Sequence, residues 1–60
     1  MGEERNLLTT AKGLNGQADV YEIYTSSTDM PYYEVKYKDE VFRFQSEGEA
    51  SMHASEIVSK

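Results

Sequence analysis

The sequence predicts a small α+β domain: an antiparallel β-meander of three strands, with a possible fourth at the N-terminus, and a C-terminal helix packed on one face. Three observations point there. Residues 32–38 (YYEVKYK) alternate Tyr33, Val35 and Tyr37 with charged residues, the period-two signature of a half-buried strand. Residues 41–45 (VFRFQ) repeat that pattern after a tight turn around Asp39-Glu40. At Ser46-Glu47-Gly48-Glu49 the spacing of apolar residues then becomes helical.

Taken in order, residues 6–14 (NLLTTAKGL) admit two readings. Leu7, Leu8, Ala11 and Leu14 share a helical face, whereas Thr9 and Thr10 favour a strand and GLNG (13–16) suits a hairpin turn. A lone helix this short is marginal, which tips the balance toward the strand. Residues 18–25 (ADVYEIYT) are rich in β-branched and aromatic residues and read as a strand. The loop SSTDMP (26–31) follows, and Pro31 biases Met30 toward extended backbone.

Parity fixes the next hairpin. An even-length loop centred on Asp39-Glu40 pairs Tyr37 with Phe42 and Val35 with Phe44, so all four share one face; without a Gly for a type I′ turn, a four-residue loop is expected. Ser46 and Glu49 form a capping box that starts the helix. Ala50, Ala54, Ile57 and Val58 make its apolar stripe, His53 lies at the edge as a packing residue, and Met52 points away. The organisation is one domain over 1–60: an N-terminal segment 1–16 of undetermined structure, a meander over 18–45 and a helix over 46–59.

Composition narrows function. Sixty residues bury little core, and the chain has no Cys and a single His, so neither a disulfide nor a self-contained zinc site can staple it. An economical core and homodimerisation remain as equal routes to stability. The lack of Cys, of a membrane-length apolar run and of an apolar leader fits a cytoplasmic protein. No phosphate-binding Gly-rich loop, Cys nucleophile or correctly spaced Ser–His pair is present, so no catalysis and no cofactor are expected.

The face of the sheet away from the helix is the candidate binding surface. It is expected to carry Tyr32, Glu34, Lys36, Lys38, Val41, Arg43 and Gln45, with Val20, Glu22 and Tyr24 added from the preceding strand. The expected register sets Lys36 opposite Arg43, a like-charge pair that calls for a carboxylate nearby, from Glu22, Glu34 or a partner. Tyr24, Tyr32, Lys36, Lys38, Val41 and Arg43 are the binding residues this reading selects. With a net charge of −5, the expected partner is another protein, and the expected role is an interaction module or regulatory inhibitor. Two variants go with it: a nucleic-acid mimic using Glu3, Glu4, Asp19, Glu47, Glu49 and Glu56, or a dimer that buries Tyr24, Tyr32 and Val41.

Three strands followed by a helix, entered through Phe44-x-Ser46-x-x-Glu49-Ala50, resembles the small DNA-binding domain of apetala-type plant factors and the arm-binding domain of tyrosine integrases. The likeness spans about residues 18–58. It implies an alternative function, nucleic-acid binding, with Lys36, Lys38 and Arg43 facing the major groove. Those domains are basic, and this chain is acidic.

Overall fold

A computed structural model describes residues 2–26 and 30–59. The chain runs β1 (Glu3–Gly13), β2 (Gly16–Thr25), β3 (Tyr32–Tyr37), β4 (Glu40–Phe44) and α1 (Glu47–Ser59). The strands form one four-stranded antiparallel sheet in sequence order, and α1 packs on one face. This is the α+β meander expected, and the N-terminal segment supplies the fourth strand. Part of the loop at 26–31, residues 27–29, lies outside the described residues.

β1 pairs with β2 along its whole length, from Glu3 opposite Thr25 to Gly13 opposite Gly16. The helical alternative for 6–14 fails because its would-be apolar face has no common surface to cover: Leu14 sits at the turn, 94% exposed. Between Leu7 and Thr9 the register slips by one residue, a β-bulge at Leu8. Before the bulge Arg5 and Leu7 pair with Ile23 and Tyr21; after it Thr10 and Lys12 pair with Asp19 and Gln17. Paired side chains share a face, so the bulge brings odd-numbered Arg5 and even-numbered Lys12 to the same side.

The face assignment of β2 differs from expectation. Val20 is fully buried beneath the helix opposite Val35, and Glu22 pairs with Tyr33 on that same side, with Tyr24 next in line. Val20, Glu22 and Tyr24 therefore do not join the open face. β2 is apolar at both parities (Ala18 and Val20 on one, Tyr21 and Ile23 on the other), so alternation alone could not orient it. Pairing with β3 does. Tyr33 donates a hydrogen bond to Glu22 at 3.4 Å. Burial, followed by the charges of Glu22 and Glu47, pushes its phenol above the ordinary value.

The β3–β4 hairpin closes two residues earlier than expected. Tyr37 pairs with Glu40, Val35 with Phe42 and Tyr33 with Phe44 around a tight turn at Lys38-Asp39, where Lys38 takes φ 54°. A two-residue shift preserves parity, so Tyr33, Val35, Tyr37, Phe42 and Phe44 still face the helix. It changes the cross-strand partners on the other side. Lys36 lies opposite Val41, and Arg43 lies opposite Glu34. The expected Lys36–Arg43 repulsion is replaced by an attractive pair, which favours this register over the other.

Ala18, Val20, Val35, Ala50, Ala54 and Val58 form the core, flanked by Ala11, Ile57, Tyr33, Tyr37, Phe42 and Phe44. The alanines bring α1 close to the sheet. His53 packs against Phe42 and Phe44, ring centroids 4.6 and 5.1 Å away. At the helix start, the Glu49 N–H donates to Ser46 Oγ at 3.3 Å. The Ser46 hydroxyl donates to the Glu49 carboxylate at 3.2 Å, so that carboxylate holds the hydroxyl and not the Ser46 N–H of the expected reciprocal bond. At the helix end, the Asn15 N–H donates to the Val58 carbonyl at 2.9 Å, satisfying one of the groups a helix terminus leaves open. Tyr37 then donates to the Asn15 carbonyl at 2.9 Å and ties β3 to the same corner.

Candidate binding face

The open face is built in cross-strand rows. One row reads Val41, Lys36, Asp19, Thr10; the next reads Arg43, Glu34, Tyr21, Leu7; a third holds Tyr32, Ile23, Arg5. Tyr32, Lys36, Val41 and Arg43 are thus brought together as expected. Tyr24 falls on the helix side. Lys38 sits in the adjoining turn, its ammonium 5.2 Å from the Tyr37 ring centroid.

At the centre lies Glu34, whose side chain is 9% exposed between two arginines. Arg5 reaches across β2 from β1 and donates to Glu34 Oε1 at 2.6 Å, and its other arm meets Glu3 at 3.0 Å. Hydrogen bonds to Glu34, then to Glu3, hold the Arg5 guanidinium above its ordinary value. The guanidinium also lies 5.4 Å from the Tyr21 ring centroid. Arg43 approaches Glu34 Oε2 only to 4.0 Å and is 70% exposed. It stacks on Tyr32, 4.6 Å from the ring centroid, a cation–π arrangement that orders it without occupying its donors. Below them Ile23 is fully buried, between Arg5 and Tyr32 in its row.

Arg5, Tyr21 and Ile23 were not among the residues singled out from sequence. Reading them onto this face requires both the bulge at Leu8 and the pairing of β2 with β3, and neither leaves a local sequence signal. Their combined effect is a separation of charge. Arg5, Lys12, Lys36 and Arg43 lie on the open face beside Glu3, Asp19 and Glu34. Glu4, Glu22 and Glu40 lie toward the helix side and α1 adds Glu47, Glu49 and Glu56, against which the one described cation on that side is Lys38, in the turn beside the Tyr37 ring. The negative excess therefore belongs to the helix side. The nucleic-acid-mimic set is split accordingly: Glu3 is paired with Arg5 on the open face, and Asp19 accepts from Thr10 at 3.0 Å.

Shallow depressions flank the Arg43–Tyr32 stack. One is lined by Tyr32, Arg43, Phe44, Gln45 and Glu49, and its neighbour by Met30, Pro31, Tyr32 and Gln45. Among the described residues, no group of three or more His, Asp or Glu is placed to hold a metal ion. No helix of the described residues is long and apolar enough to cross a membrane. No protein-family model, curated protein or solved structure matches this chain.

Proposed function

We propose that this chain is a small protein-interaction module that regulates a partner by occupying it, without catalysis, and that the open face is its working surface. The observation that carries this reading is the Arg43–Tyr32 stack beside Glu34. Arg5 takes the Glu34 carboxylate at 2.6 Å, whereas Arg43 stands 4.0 Å from it, stacked on Tyr32 and 70% exposed. Ordered Arg and Tyr side chains are the usual anchors of protein interfaces. Val41, 54% exposed, adds apolar contact beside them. Features with chemical potential elsewhere have structural employment: His53 packs between two Phe rings, and Ser46 with Glu49 caps the helix.

The test is affinity capture from the native cell, with recovered proteins identified by mass spectrometry. A partner held by the wild type is expected to fall about ten-fold or more with Tyr32→Ala or Arg43→Ala. Met52→Ala, on the exposed side of α1, should retain it. Unchanged recovery with both face variants removes the open face as the working surface.

One observation favours a second reading, nucleic-acid binding: four cations share the open face although the chain as a whole is acidic. That reading expects binding that weakens steeply with salt and is lost in Lys36→Glu and Arg43→Glu. The absence of a gel shift with either DNA or RNA at low salt would end it.

A further inference from the structure

The two edges of the sheet are not equivalent. β1 presents a bulge at Leu8 and charged residues near both ends, Glu3, Glu4, Arg5 and Lys12. Bulges and edge charges are devices that discourage another strand from pairing. β4 also carries charges, Glu40 and Arg43, but it has neither a bulge nor a Pro, and its register with β3 is unbroken from Tyr37–Glu40 to Tyr33–Phe44. Hydrogen-bonding direction alternates along an antiparallel strand, beginning at the pair that closes a two-residue turn. That alternation leaves the backbone N–H and C=O of Val41 and Arg43 pointing away from β3. The edge also presents side chains in a definite pattern. Val41 and Arg43 stand on the open face, while Phe42 and Phe44 stand on the helix side and are only partly buried.

We propose that the edge of β4 receives an extended segment of a partner protein as a fifth, antiparallel strand, with a carboxylate of that segment opposite Arg43 and apolar residues opposite Val41, Phe42 and Phe44. This rests on the reading of the chain as an interaction module and specifies how it binds. Charge complementarity selects the occupant. The added strand's open-face residues meet Arg43, with Lys36 one strand further in, and Glu34 is already engaged by Arg5. A carboxylate there can accept from the Arg43 guanidinium, and directly opposed pairs of opposite charge are favourable on a sheet. A second copy of this chain suits the edge less well. The carboxylate of β4 itself, Glu40, lies on the helix side, so in-strand pairing of two β4 edges brings none to Arg43. Backbone hydrogen bonds would supply affinity and the alternating side chains specificity, as in other strand-addition complexes.

The experiment titrates the isotope-labelled full chain with the peptide acetyl-TVEIVKT-amide, followed by amide chemical shifts. Aligned antiparallel, this probe sets Glu opposite Arg43, Lys opposite Glu40, and apolar residues opposite Val41, Phe42 and Phe44. The control, acetyl-TVKIVET-amide, has the same composition with the two charges exchanged. Saturable shifts centred on the Val41 and Arg43 amides are expected, with the control bound about five-fold more weakly. Val41→Pro deletes an outward N–H and no rung of the existing sheet, so it should abolish these shifts while leaving the fold's spectrum intact. Val41→Lys, which keeps the N–H but adds a guarding charge, should weaken binding if the Pro variant proves unfolded. No β4 shifts at about 1 mM peptide, or undiminished binding by the folded Val41→Pro chain, overturns the proposal. Equal binding of the two peptides overturns the acidic partner. β4 shifts that depend on protein concentration without peptide assign the edge to a second copy and overturn it as well. If a captured partner depends on Tyr32 and Arg43 but tolerates Val41→Pro, the interaction face stands and strand addition falls.

Discussion

Gly13→Ala is expected to unfold a large part of the population at ambient temperature. Gly13 ends β1 on the helix side, where a Cβ would lie 2.4 Å from the Val58 carbonyl oxygen and 2.9 Å from its carbon. Those are backbone atoms at the end of α1 and cannot rotate aside. The same oxygen accepts the Asn15 N–H, so moving it also strains the bond that closes the helix end. Overpacking costs about 1–3 kcal/mol and a lost hydrogen bond about 1, giving roughly 2–4 kcal/mol in all. A core this small supplies little more than that. Gly48→Ala is the matched control. A Cβ there meets open space in the first turn of the helix, and the change should stabilise by up to about 1 kcal/mol. Thermal melts followed by circular dichroism should move in opposite directions, down about 10–20 °C for the first and up a few degrees for the second. Matching melting temperatures for Gly13→Ala and wild type would mean that the helix end does not rest on this corner.

Ile23→Ala should cost nearly as much, about 2–4 kcal/mol in urea unfolding, from a residue on the face that lacks a helix. Ile23 is fully buried although α1 lies on the opposite side of the sheet. Its neighbours across the strands are Arg5 and Tyr32, whose long side chains exclude water while keeping polar tips exposed. Two effects compete after truncation. Lost burial and a residual cavity raise the cost, and inward collapse of two surface side chains lowers it. The second effect places the value toward the lower end of that range, below the cost expected where a cavity sits in rigid surroundings. A cost under about 0.5 kcal/mol, the range of ordinary surface substitutions, would show that Ile23 is not a second small core. If the open face is the binding surface, the same substitution should also weaken partner capture, because Tyr32 and Arg5 lose the support beneath them.

Elements with a single dominant pattern were legible. β3 and β4 alternate cleanly, so their faces were set by the residues alone, and Tyr33, Val35, Tyr37, Phe42 and Phe44 reach the core as expected. Ser46 and Glu49 marked the helix start for a local reason, since capping involves only neighbours in the chain. β2 was legible as a strand but not as an oriented one, because both of its faces are apolar. Tyr24 was therefore assigned to the wrong side, and Arg5, Tyr21 and Ile23 were missed. The turn at Lys38-Asp39 escaped for a related reason. Parity cannot distinguish registers two residues apart; the pairing of Arg43 with Glu34 distinguishes them, and that is an energy across strands.

The sequence by itself determined the order of elements from residue 18 onward, the inner face of the hairpin and the small-residue seam of the helix, because these follow from hydrophobic period and local capping. Only the tertiary structure decided which cations share the open face. That outcome depends on one extra residue at Leu8 and on a register chosen across three strands, both set by long-range pairing that no local pattern encodes. A chain that is acidic in sum thereby carries four of its cations, Arg5, Lys12, Lys36 and Arg43, together on one side.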